Sequence, residues 1–414
     1  MPLWIPSRLA NRRVLALVAL VLAAAGMGAG IDRWVQVRRK VTQGTFSEDG
    51  IRAKPGPWGE VYYTPFTISA PDEALPVRTL EAKGTHWIFP QKTVDEVRTL
   101  LSSAGVSESA LGALMSPTAL REGPQGIDIE PPFATLTDLP TAVRRKLYQM
   151  LAEFPENRSE ITFIHKDTFE ERFGNSNLSA TTLSLFQKLC CEHGDYLVFS
   201  GLGALLAQLP TYEEKVHFVK ALTRQKTMLF RLRVGPESDV AALAEYWGKG
   251  AYSVDVRTIL QSVGSVKGGA WLDIAMLLPP LPASELYFYP IITPNPLDGP
   301  PVIRDCHWTS FNFFREKPDP NFGEPGHVLQ LLRENYYPAA GDPQYGDVVL
   351  LTKPDGSAVH SAVYLADDIV FTKNGSTIAY PWMLSTVSDL LKQYSFQVSD
   401  GEKLTVSYFR TYTL

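Results

Sequence analysis

The sequence predicts an α+β protein in three parts. Residues 1–40 form a membrane segment, 41–282 a mostly helical domain, and 283–414 a domain in which a helix packs on an antiparallel sheet. Three observations predict this. The apolar run from Val14 to Gly30 is flanked by Arg8, Arg12 and Arg13 before it and by Arg33, Arg38, Arg39 and Lys40 after it. From Pro90 to about residue 263, apolar residues recur at helical spacing. Beyond the Pro-rich Leu278-Pro279-Pro280-Leu281-Pro282, an aromatic helix is followed by short β-branched runs separated by turn residues.

A basic flank followed by an apolar run reads as a signal or anchor. Its length as a helix, about 25 Å at roughly 1.5 Å per residue, is close to the hydrocarbon core of a bilayer. An uncleaved anchor and a cleaved signal stay equally open, with a buried soluble helix a distant third, and either leading reading places the body of the chain outside the cytoplasm. The membrane is therefore an expected partner through this segment.

The 414 residues suffice for two or three domains, and 45% hydrophobic with 20% charged residues fits a globular chain. The net charge is −5. Residues 1–40 carry seven Lys/Arg and one Asp, a net of +6, so the remainder holds −11. So acidic a body argues against a nucleic-acid binder, which needs basic surface to neutralise phosphates, and no convincing local basic patch rescues that reading. The three cysteines, Cys190, Cys191 and Cys306, have no framework spacing and leave Cys306 free. No cofactor or metal is expected.

In the middle part, Glu60 to Ile68 reads as extended, with Pro65 placing it at a sheet edge. Thr93 caps a helix carrying Val94, Val97, Leu100 and Leu101 on one face. Leu139-Pro140-Thr141 opens another, with Val143, Leu147, Met150 and Leu151 turned inward, and further helices are expected near 178–192, 201–224 and 238–263. On a helix, Cys190 and His193 share a face, but a zinc site needs about two more ligands at motif spacing. They are read as core residues. Glu170-Glu171, between Phe169 and Phe173, reads as the solvated face of an amphipathic helix.

The chemistry is expected near the C-terminus. In Asp305-Cys306-His307-Trp308, Cys306 opens a helix, where unpaired N–H groups lower a thiol pKa. A second helix is expected from Glu324 to Tyr337, carrying His327, which competes less well as a base. Gly346-Asp347 leads into a strand over Val348 to Thr352. Val359 to Leu365 follows with His360 near its start, and Asp367-Asp368 turns the chain into Ile369 to Asn374. A thiol, an imidazole and a third polar group that orients the imidazole form the constellation used in acyl transfer.

Asp-Cys at a helix start, then Gly-Asp before four apolar residues, then His-x-Ala-Val-Tyr-Leu resembles the NlpC/P60 family of papain-like cysteine peptidases. Cys306-x-Trp308 is similar to the cysteine region of the related CHAP amidases. The resemblance covers about 285–414. It implies a Cys306 nucleophile, a His360 base and hydrolysis of amide bonds in a peptide or peptidoglycan-like substrate. Alternatives are a non-catalytic envelope binding or scaffold protein and an acyltransferase using the same thioester. An ungapped reading of the family pattern gives Thr372 as the third residue. Asn374 shares its strand face and is preferred, because an amide oxygen accepts the imidazole N–H. Lys373 faces away unless the hairpin register shifts by one residue.

Overall fold

Strand-forming alternation interrupts the helices of the middle region. Gln225–Val234 carries Met228, Phe230, Leu232 and Val234 on one buried face, and this period of two makes it a ten-residue strand. It pairs antiparallel with Glu60–Ile68 along that strand's whole length, Pro65 lying opposite Met228, and on its other side with Ala270–Asp273. The computed structural model describes residues 50–124, 126–290, 304–398 and 401–412. From Arg52 onward these form one compact α+β unit built on antiparallel sheets. The expected membrane segment 1–40 lies outside the described residues. No helix among the described residues is long and apolar enough to cross a membrane.

Two expected helices begin where the local chemistry puts them. Thr93 and Glu96 make a reciprocal capping box on Val94–Ser103, satisfying N–H groups that the first turn leaves free. Thr141–Ala152 starts directly after Pro140 and buries Leu147 and Leu151 completely. Its Arg144 is also buried, and its guanidinium donates to the carbonyls of Leu136, Leu139 and Cys190.

Within 41–282, expected to be mostly helical, three small antiparallel sheets stand among the helices. Besides the one above, Trp87–Pro90, Gly126–Ile129 and Leu120–Gly123 form a second, and Ile161–His165, Tyr196–Ser200 and Cys190–His193 a third. The helix expected over 178–192 stops at Leu189, and Cys190–His193 turns through Gly194-Asp195 into Tyr196–Ser200. Gly194 adopts a φ of +54°, a conformation that glycine takes without a side-chain penalty. Gly-Asp between two short apolar runs is a hairpin signal that helical periodicity obscured.

Two large apolar cores fill the unit. One gathers residues from Ala70 to Leu222, including Trp87, Phe186 and Phe218, together with Tyr289 and Ala379. The other joins Phe230, Leu232 and Trp247 to Trp308, Phe371 and Leu384. The boundary drawn after residue 282 therefore runs through a shared core. Thr227 fastens its two sides: its hydroxyl donates to the Leu384 carbonyl at 2.9 Å and accepts from the Leu384 N–H at 3.2 Å.

The C-terminal sheet has six strands in the spatial order Tyr336–Pro338, Thr405–Thr411, Val348–Thr352, Ala358–Ala366, Ile369–Lys373 and Trp382–Thr386. Every neighbouring pair is antiparallel. The Cys306 helix, Cys306–Phe311, lies on the face that carries Leu350, Val363, Phe371 and Leu384. Helix Val387–Tyr394 covers the other face, over Val349, Leu351, Ala362 and Val370.

Candidate active site

Asp305 caps the Cys306 helix, its Oδ1 accepting the Trp308 N–H at 2.9 Å. Trp308 and Phe311 hold the helix in the core, and Trp382 Nε1 donates to Thr309 Oγ1 at 2.9 Å. Cys306 is thus fixed as the first helical residue, as its sequence setting predicts. Its thiol is buried, and burial pushes it up to about 12, helped by the Asp305 charge and opposed by the backbone N–H groups of Ser361 and His307. The lowering expected from the helix start is outweighed, because desolvating a thiolate costs more than the first N–H groups of a six-residue helix return.

Strand alternation then decides which side chains meet the thiol. Ser361 pairs opposite Leu350 and His360 opposite Leu351, residues of the two different faces. Ser361 turns toward the Cys306 helix, where its Oγ lies 3.0 Å from His307 Nδ1. His360 turns toward the face covered by helix Val387–Tyr394, and its ring stacks on Tyr394 at 4.4 Å. His360 Nε2 is 2.8 Å from Thr372 Oγ1, while Nδ1 is buried without a hydrogen-bond partner. Cys306 and His360 are therefore not joined by a hydrogen bond. Tyr394 nevertheless feels both sides: burial first, then the Cys306 and Asp305 charges, raise its hydroxyl pKa.

The preference for Asn374 as the group orienting His360 is corrected. Asn374 Nδ2 donates to Gln225 Oε1 at 3.1 Å and to Gln393 Oε1 at 3.0 Å, and its Oδ1 accepts from Tyr394 at 3.5 Å. Thr372, the ungapped reading, occupies the place instead. The two share a strand face, so the pleat does not choose between them; Asn374 lies just past the strand end, where Gln225 and Gln393 take up its amide. Lys373 projects to the Cys306 side, donating to the Gly375 and Thr377 carbonyls at 2.7 and 3.0 Å, with its ammonium over the Trp382 ring. Burial pushes it down to about 8, against the opposing pull of Cys306 and Asp305.

The imidazole of His360 is neutral: burial, then the nearby His307, pushes it down to about 3. Burial likewise lowers His307, with Asp305 opposing. The Gly-Asp signal has a structural part. Asp347 is buried, makes two 2.7 Å contacts to Arg410 and accepts the Gln344 N–H at 2.8 Å. His327 is exposed on helix Pro325–Asn335, stacked on Phe322. Among the described residues no group of three or more His, Cys, Asp or Glu is placed to hold a metal ion. The His307–Ser361 contact and the Tyr394 stack escaped sequence reasoning. Both join residues on separate elements, and only the alternation around Ser361 hinted at the first.

No family model, no curated protein and no solved structure matches this chain.

Proposed function

We propose that the chain is a cell-envelope cysteine peptidase or amidase of the NlpC/P60-like, papain-related kind, with Cys306 as nucleophile and His360 as base. Segment 1–40 would export it or hold it at a membrane, and peptide bonds of the peptidoglycan kind would be its substrates. The observation that carries this reading is the state of His360. One ring nitrogen is tied to Thr372, while the other is buried with no partner. A buried polar atom left unpaired costs stability, and a catalytic role is one reason a fold keeps such an atom. With Nε2–H donating to Thr372 Oγ1, Nδ1 keeps a lone pair for a proton. Catalytic hydrogen bonds are commonly long in a substrate-free site.

In that chemistry the His360 ring turns from Tyr394 toward the thiol and takes its proton at Nδ1 as Cys306 Sγ attacks the amide carbonyl. The C–N bond breaks as His360 returns the proton to the departing amine, and water then hydrolyses the thioester. Backbone N–H groups at the helix start would bind the oxyanion. Transfer of the acyl group to an amine instead of water would make the same site an acyltransferase.

A second reading, a non-catalytic binding or scaffold protein, is favoured by one observation: burial raises the Cys306 thiol to about 12. Iodoacetamide labelling near neutral pH separates the two. The enzyme reading expects Cys306 to label faster than a free thiol, His360→Ala to slow it and Cys306→Ala to abolish it. It also expects new amine ends when peptidoglycan fragments are added. Labelling no faster than a free thiol, with no fragment cleaved, leaves the scaffold reading.

A further inference from the structure

A sizeable cavity lies away from Cys306. It has a volume of about 720 Å³ and opens between helix Thr141–Ala152, the sheet containing Cys190–His193, and residues 396–398. That volume lies within the range of roughly 300–1,000 Å³ typical of small-molecule sites. Its floor is apolar, formed by Ile161, Phe163, Val198 and Phe396, with Phe163 and Phe396 stacked at 4.0 Å. The cysteine motif of the sequence reaches it in an unexpected way. On a strand, Cys191 and His193 share a face, and both line the cavity.

The rim is charged. Arg145, Lys353 and Glu153 line the cavity, and Gln149 holds His193 Nδ1 at 3.1 Å. Among the described residues neither the Arg145 guanidinium nor the Lys353 ammonium has a hydrogen-bond or ion-pair partner. The nearby Glu192 is engaged by Lys166 at 2.7 Å. Among the described lining residues, Arg145 and Lys353 against Glu153 leave one positive charge in excess.

We infer that this cavity is a binding site for an amphipathic carboxylate, its apolar body on the Phe163–Phe396 floor and its single negative charge between Arg145 and Lys353. A phosphate dianion fits less well, because Glu153 would repel the second charge. A neutral apolar molecule would leave both cations unpaired. This inference does not depend on chemistry at Cys306.

Titration of the full chain with decanoate and with decanol, followed by calorimetry, tests it. Decanoate is expected to bind more tightly than decanol, and Arg145→Gln and Lys353→Gln to weaken decanoate about tenfold each while leaving decanol unchanged. Ala152→Phe, at the cavity wall, should abolish binding of both with the melting curve preserved. Arg145 is exposed, so its variant tests the idea even if Ala152→Phe fails to fold. Absence of decanoate binding, equal binding of decanol, or decanoate affinity unchanged in Arg145→Gln and Lys353→Gln would each overturn the inference.

Discussion

The ring of Tyr394 lies 4.4 Å from the imidazole of His360 and nearly parallel to it, at 22°. Helix Val387–Tyr394 thereby closes the histidine against the sheet, and the same chain continues into Phe396 on the cavity floor. Removing the ring in Tyr394→Ala admits water, so the His360 pKa rises from about 3 toward its ordinary value. The thiol, near enough for its charge to raise the Tyr394 hydroxyl pKa, loses part of the burial that raises it and moves down. Each pKa unit changes the thiolate share tenfold, so iodoacetamide labelling of Cys306 is expected to rise by about tenfold or more. A rate equal to the parent's would show that Tyr394 does not cover the site.

Thr372 and Asn374 are distinguished by substitution. Thr372→Val leaves both His360 nitrogens without a partner, a loss of about 1–3 kcal/mol in urea unfolding, and Thr372→Ser restores most of it. Asn374→Ala loses the amide contacts to Gln225 and Gln393 and is destabilised too, yet Cys306 labelling stays at the parent rate. Slower labelling in Asn374→Ala would reinstate it as the orienting group.

The pH dependence of stability follows from the buried imidazole. The folded His360 sits near 3, below the ordinary 6.5, so in that window the unfolded chain binds the extra proton. Stability therefore rises with pH across the window, is fully present above about pH 6.5, and is lost as pH falls toward 3. His307 is shifted in the same direction. Urea titrations at several pH values should show a shallower slope in His360→Gln than in the parent. An unchanged slope would mean that His360 protonates freely in the folded state.

Asp347 and Arg410 make a bidentate pair in which the carboxylate is 2% exposed. Arg410→Ala strands that charge, and breaking a buried pair from one side costs about 3–5 kcal/mol. Replacing both partners, Asp347→Asn with Arg410→Met, should recover part of the loss. Urea midpoints of the three variants check this, and an additive double variant would contradict it.

Local signals carried far into the structure wherever a short stretch contained its own partner. Thr93 and Glu96 stand three apart and close a capping box without help from the rest of the chain. Asp305 reaches the Trp308 N–H within one helical turn, so Cys306 could be placed at a helix start from sequence. The strands over Val348–Thr352, Ala358–Ala366 and Ile369–Lys373 were legible from β-branched runs between turn residues. By contrast, Gln225–Val234 and Cys190–His193 were missed, because each depends on a partner strand to reward its extended form.

The sequence by itself determined that Cys306 opens a helix and that His360 stands on a strand 54 positions later, because both follow from capping and alternation within a few residues. Only the tertiary structure decided which side of the sheet each neighbour faces. A period of two sends Ser361 and Lys373 to one face and His360 and Thr372 to the other, and a single bulge sets how the hairpin is counted. Burial was likewise a tertiary decision: the Cys306 helix packed on one face of the sheet keeps the thiol uncharged, and Tyr394 on the other keeps the imidazole so.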